Sequence, residues 1–333
     1  MSIKNLYPLK LKPVLKDAIW AGTRLASEYG KSNNPTQKIA ESWELTAHKN
    51  GVNIIENGEY AGQTLGDLFK LDKSIVSSDY NSGKFPLLIK YIDAEQTLSV
   101  QVHPDNDYAQ KYENGELGKT EMWYIVDCKP GAKIVYGLNG DYTREDLQNL
   151  IDCNKFEDCL NYIEVKPGDV YFIPAGFVHA IGGGILIAEV QQNSDTTYRL
   201  YDYNRLGADG NLRELHIKKA LDVCIKTKTE YESPKKFYND INEAMTEILT
   251  VCEYFKVFKV KYYENGIAGF TGYAFTSLIC LDGEGEIVHG KNIYRLKKGD
   301  SYFLPAGMGQ WKIYRTNEKF TVLFTNLGEN YKK

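Results

Sequence analysis

Two stretches of this chain repeat one another: KPGDVYFIPAGFVHA, from Lys166 to Ala180, and KKGDSYFLPAGMGQW, from Lys297 to Trp311. Aligned without gaps, 8 of 15 positions are identical, and the copies start 131 residues apart. That offset is the length of a domain, not of a solenoid unit. Each copy reads as a turn carrying Gly-Asp, a short strand, a Pro-Ala-Gly turn and a further strand. Turns at this spacing, with β-branched and aromatic runs between them, build all-β barrels or sandwiches. A chain of 333 residues can bury two separate cores. The fold predicted is mainly β: two jelly-roll barrels with a few helices inserted.

Further runs support that reading. Phe85–Ala94, Thr97–Val102, Met122–Val126, Ala132–Tyr136, Phe255–Tyr262 and Phe320–Thr325 are apolar or alternating and read as strands. A helix is predicted after Thr143, which precedes an acidic first turn, with Leu147, Leu150 and Ile151 at helical spacing. A second is predicted from about Leu212 to Ile225, with Leu215, Ala220 and Leu221 on one side. The polar stretch Lys226–Asn239 then reads as the connection between two units, 1–235 and 236–333. Gly182-Gly183-Gly184 is a hairpin turn, since no Gly-Lys-Ser/Thr pattern or helix follows it.

Composition removes several function classes. The net charge is −4 and the pI about 5.9, so nucleic acid is not an expected partner. No stretch approaches the run of about 18 apolar residues that a membrane helix needs, and the amino terminus lacks a basic segment followed by an apolar one. The six cysteines form no Cys-x-x-Cys pair and read as reduced thiols of a cytoplasmic protein.

Five histidines are present, and two stand in informative contexts. Gln101 and His103 lie two apart in a strand, so their side chains share a face. Glu121 opens the run EMWYIV, and His179 ends the PAGFVHA element. One Gln, two His and one Glu make a nitrogen and oxygen ligand set suited to Zn²⁺, Fe²⁺ or Mn²⁺. A lone strand histidine is more often a core residue than a ligand. The repeat argues otherwise here, because Gln310 replaces His179 in the second copy while the turn skeleton is kept. The first unit is therefore predicted to hold the metal, and the second to hold none.

LSVQVHPD, GKTEMWYI, PAGFVHA and YRLYDYNR, with IWAGTRLA and ESWELTAH (Glu41–His48), resemble the type I mannose-6-phosphate isomerases in their short bacterial form. Those proteins belong to the cupin superfamily, and the resemblance covers nearly the whole chain. It implies two cupin-type barrels and one Zn²⁺ per chain, held by Gln101, His103, Glu121 and His179. It also implies an aldose–ketose isomerase that interconverts mannose 6-phosphate and fructose 6-phosphate through a cis-enediol. Lys90 and Ser99 match the family's phosphate contacts, and Arg205 falls where other members carry a lysine for that purpose. Arg199 matches the family's active-site arginine, and Glu41 falls near the site.

The residues themselves fit this chemistry. Ser99, Gln101 and His103 share one strand face, and the run LLIxYI around Lys90 argues against a freely solvated lysine. Proton transfer between C1 and C2 needs a base near neutrality and a stabiliser of enediolate charge. Arg199 offers a fixed cation with a planar fork. Glu189 lies inside an apolar strand pattern that would raise its pKa, and Lys119 is its rival as proton carrier. Trp20, Trp43 and Trp123 could stack on sugar or pack a core. Ile181 stands where longer family members have tyrosine, so that contact is not carried over. Two alternatives differ in class: an iron-dependent cupin oxygenase, and a non-catalytic sugar-binding or regulatory cupin. The oligomeric state, the breadth of sugar-phosphate specificity and the pathway are not readable from sequence.

Overall fold

The computed structural model describes residues 3, 5–207, 209–230, 237–241, 244–261 and 266–329. The architecture is mainly β, arranged in open jelly-roll sheets with no closed ring of strands among the described residues. No helix among them is long and apolar enough to cross a membrane. The boundary expected between residues 235 and 236 falls outside the described residues.

The first repeat lies between two facing sheets. One has six strands in the order Val170–Ile173, Glu121–Cys128, Ile185–Gln192, Leu87–Ala94, Glu41–Leu45 and Val14–Lys16. The other has five, ordered Leu160–Glu164, Lys133–Leu138, His179–Ala180, Val100–Val102 and Tyr198–Tyr201. All these neighbours are antiparallel. Leu87–Ala94 and Ile185–Gln192 are buried along their whole length because both faces are covered. Alternate residues separate two cores. Ile92, Ala94, Ile185, Ile187, Trp123 and Ile125 face the space between the sheets. Leu87, Ile89, Tyr91, Leu186, Ala188 and Val190 pack outward on a second core that includes Phe255, Phe275 and Phe303.

A ten-stranded sheet carries the second repeat, with the long strands Thr276–His289 and Gly309–Leu327 at its centre. The amino-terminal strand Leu9–Lys12 joins this sheet by pairing with Ser301–Leu304. In both copies of the repeat the turn is closed alike: Asp169 accepts from the Lys166 amide and Asp300 from the Lys297 amide. The glycines of both turns have positive φ, +94° at Gly168 and +88° at Gly299.

The helix expected after Thr143 spans Arg144–Asp152, with Thr143 and Asp146 forming a reciprocal capping box. The second expected helix is shorter, Ile217–Val223. Leu212 and Leu215 are exposed, and the backbone before the helix is committed elsewhere: the Gly207 amide bonds Asn211 and the His216 amide bonds Arg199.

Candidate active site

Three adjacent strands of the six-stranded sheet set the floor of the site. Glu189 stands opposite Lys90 on one side and Trp123 on the other, and Gln191 stands opposite Glu121. Side-chain alternation turns Lys90, Glu121 and Glu189 into the space between the sheets. From the facing sheet, His179 pairs with Gln101 across a bridge, and His103 follows one residue beyond Val102. Gln101 and His103 thus reach the same point, as period two requires.

The four candidate ligands converge. His103 Nε2 and His179 Nε2 are 3.1 Å apart, and Gln101 Nε2 is 3.3 Å from His179 Nε2. Glu121 approaches from the other sheet, with Oε2 3.6 Å from His103 Nε2 and Oε1 3.4 Å from His179 Nε2. His103, Glu121 and His179 are fully buried, and they form the one cluster of metal-type ligands found among the described residues. Each imidazole is oriented from behind. His103 Nδ1 faces the Thr196 carbonyl and His179 Nδ1 the Phe177 carbonyl, both at 2.8 Å. Those carbonyls fix Nδ1 as the donor and leave Nε2 a lone pair.

Electrostatics favour ligation. Burial pushes the His103 pKa well below its ordinary value, with Lys119 and His179 adding to the effect. Burial is the main cause that lowers His179 to about 3. Both rings are therefore neutral, as a metal requires. Neither oxygen of Glu121 accepts a hydrogen bond, though Lys119 Nζ lies 2.9 Å from Oε2. Two converging lone pairs beside a buried carboxylate without hydrogen bonds fit a divalent cation with nitrogen and oxygen ligands.

The remaining predicted residues fall into two groups. Lys90 Nζ sits between carboxylates, 3.2 Å from Glu189 Oε1 and 3.3 Å from Glu41 Oε2. Lys119 Nζ is 3.7 Å from Glu189 and 3.2 Å from His103 Nε2. Burial raises the Glu189 pKa, Glu121 adds to the rise, and Lys90 and Lys119 oppose it. Burial acts the same way on Glu41, but Lys90 and the Trp43 hydrogen bond outweigh it and leave the group below its usual range.

The second group belongs to the facing sheet. Arg199 is in register with Gln101; its Nε donates to Ser99 Oγ at 3.2 Å and its NH1 to the Glu214 carbonyl at 2.6 Å. Arg205 pairs with Asp202 and donates to the Thr97 carbonyl. Glu189 and Arg199 thus enter from opposite sheets. Residues 193–197 carry the chain across, and the Asn193 amide is held by the Pro86 carbonyl. Arg205 reaches the Thr97 carbonyl, two residues before Ser99, while the ion pairs of Lys90 are with Glu41 and Glu189.

Several residues at the site were not assigned roles from sequence. Arg213 joins Arg205 on Asp202, with NH1 3.3 Å from Oδ2. It lies in the irregular loop ahead of Ile217–Val223, in a stretch that the sequence reads as helix, so no sequence signal marked it. Trp123 donates its indole N–H to Glu189 at 2.9 Å, and Trp43 donates to Glu41 at 2.6 Å. Trp123 is fully buried, so it holds a carboxylate and offers no stacking surface. The spacing of Trp43 two residues from Glu41 was the available clue.

Known proteins resemble this chain along most of its length. The family described as phosphomannose isomerase type I, catalytic domain, matches residues 8–128. The mannose-6-phosphate isomerase cupin domain matches residues 244–322. The mannose-6-phosphate isomerase ManA of Bacillus subtilis is 44% identical over 92% of this chain and 95% of its own length. The mannose-6-phosphate isomerase of Streptococcus mutans is 38% identical over 92% of this chain and 95% of its own. The crystal structure of the mannose 6-phosphate isomerase from Bacillus subtilis superimposes with a TM-score of 0.89 at 35% identity, covering 96% of this chain and 99% of that one.

Proposed function

The chain belongs to the type I mannose-6-phosphate isomerase family, and we propose that it works through a single Zn²⁺ held by Gln101, His103, Glu121 and His179. Its activity is that of a mannose-6-phosphate isomerase, an aldose–ketose isomerase acting on a phosphorylated sugar. The family is metal-dependent, and the convergence of two tethered Nε2 lone pairs on the Glu121 carboxylate is the observation that carries the site. When bound, the metal would polarise the sugar carbonyl and hold its neighbouring oxygen.

The protein groups around that point divide the rest of the work. Interconversion of mannose 6-phosphate and fructose 6-phosphate moves a proton between C1 and C2 through a cis-enediol. Glu189 is the proton carrier in this reading: it is buried, its pKa is raised, and Trp123 fixes its second oxygen. Lys119 and Lys90 flank it and balance its negative charge when it is ionised. Arg199, held by Ser99 and the Glu214 carbonyl, presents the remaining N–H groups of its guanidinium to an oxygen that gains charge. Ser99 and Arg205 receive the phosphate, with Arg213 as a further cation beside them. Lys90 was predicted for the phosphate as well. Its ion pairs with Glu41 and Glu189 support a role at the proton-transfer end of the same cavity.

A cytoplasmic location is part of the proposal, and six free cysteines support it. One experiment separates the alternatives: metal analysis of the purified protein with a coupled isomerase assay. One zinc per chain with turnover of mannose 6-phosphate is expected. Iron with oxygen uptake, or sugar binding without turnover, contradicts the proposal.

A further inference from the structure

We propose that Lys31 and Glu44 are positioning residues for the isomerase site, acting through the strand that presents Glu41 to Lys90. The inference rests on the functional reading above. Lys31 Nζ lies 2.6 Å from Glu44 Oε1, and the two side chains are 5% and 0% exposed. The same ammonium donates to the carbonyl of Gly299, in the Lys297–Asp300 turn of the second repeat, and lies over the Tyr91 ring at 5.6 Å. Ser42 Oγ donates to the Glu44 carboxylate at 2.6 Å, and Tyr91 donates its hydroxyl to the Cys280 carbonyl at 3.0 Å. A Cβ on Gly299 would fall 2.4 Å from the Tyr29 carbonyl oxygen, so residues 29–31 seat directly against this turn. In the equivalent turn of the first repeat, a Cβ on Gly168 would meet nothing within 4 Å. The copy that lacks the histidine ligand thus uses its turn as a clamp on the copy that has it.

The clamp sits where the strand that carries Glu41 is irregular. Along Glu41–Leu45, Glu41 pairs with Ile92, Ser42 with Tyr91 and Trp43 with Lys90, but Leu45 pairs with Ile89. Glu44 is therefore the extra residue of a β-bulge, with no partner of its own across the ladder. Ladder hydrogen bonds do not fix such a residue, and a slip of one position would turn Glu41 and Trp43 away from Lys90. Buried ion pairs are poor sources of stability, because desolvation offsets their attraction and apolar pairs do as well. What this pair supplies is placement: it ties the bulge from behind, while Glu41 meets Lys90 at 3.3 Å and Trp43 at 2.6 Å in front.

The test compares Glu44→Gln, Lys31→Met and the apolar double variant K31M/E44L in the metal-loaded protein. The unaltered chain is assayed first; if it fails to isomerise mannose 6-phosphate with metal bound, the functional reading itself falls. With that activity present, each single variant is expected to lose kcat by at least about tenfold, with KM changed by less than about threefold and metal content unchanged. The double variant is expected to regain the parental melting temperature without regaining kcat. A double variant that regains both, or single variants that lose melting temperature at normal kcat, overturns the proposal and leaves the pair purely structural. Glu44→Gln keeps the side-chain volume and the Ser42 contact, so it decides alone if the other variants do not fold.

Discussion

His103 and His179 face each other with Nε2 atoms 3.1 Å apart while backbone carbonyls hold both Nδ1 atoms at 2.8 Å. Two lone pairs so placed suit a bound cation between them. Replacing either histidine by Ala should therefore strip the metal and abolish isomerisation, as measured by elemental analysis and coupled assay. Chelation of the parent should lower its melting temperature. A ligand at 1,000 times its Kd contributes about 4 kcal/mol to stability. One ion per chain is expected, since Gln310 stands where the second repeat would need His179's counterpart; a second ion there would contradict the assignment.

Lys90 lies between two carboxylates, so its loss leaves Glu41 and Glu189 without their nearest cation. Lys90→Ala should retain the metal but destabilise the fold by about 3–5 kcal/mol in urea titrations. The further change Glu189→Gln should recover part of that loss. If Lys90 also reaches the phosphate, KM for mannose 6-phosphate rises; a purely charge-balancing lysine lowers kcat alone.

Arg199 donates to Ser99 and to the Glu214 carbonyl, and neither partner is a carboxylate. Arg199→Ala should reduce kcat roughly 30- to 1,000-fold, about 2–4 kcal/mol on the barrier, with KM far less affected. Lysine should rescue poorly, because it keeps the charge and loses the fork. An unchanged kcat with metal retained removes Arg199 from the mechanism.

His48 supplies a pH dependence outside the metal cluster. Its ring is 4% exposed, and burial lowers its pKa despite Asp195 at 3.7 Å and Glu116 at 4.0 Å. A depressed folded pKa means that the unfolded chain binds the proton more readily. Stability from this group is present above pH about 6.5 and is lost as pH falls below it. Between pH 7.5 and 5.5 the loss reaches about 1.4 kcal/mol at most. In His48→Gln this part of the change should vanish, and denaturant titrations at the two pH values measure it. Equal pH sensitivity in both proteins would mean that His48 titrates alike in folded and unfolded chains.

The candidate ligand set follows from short-range rules. Gln101 and His103 share a face by strand alternation, and the change from His179 to Gln310 marks the first repeat as the candidate metal site. The capping box at Thr143 is equally local. What sequence did not show depends on register between distant strands. Glu41, Lys90 and Glu189 meet because Ile92 aligns with Glu41 and Lys90 with Glu189, and no spacing along the chain encodes that alignment. Leu9–Lys12 joining the second repeat's sheet is of the same kind. The helix around residue 217 was overextended because Leu212 and Leu215 fit a helical period yet lie exposed.

Gly168 and Gly299 occupy the same place in the repeat, but a Cβ on the first would meet open space and one on the second the Tyr29 carbonyl. The two turns therefore differ as sites for protein engineering. A peptide inserted between Pro167 and Gly168 opens the Lys166–Asp169 closure but meets no neighbouring element on the Cβ side of the glycine. The same insert between Lys298 and Gly299 separates residues 29–31 from the turn they rest on. Length variation among relatives should therefore concentrate at the first turn.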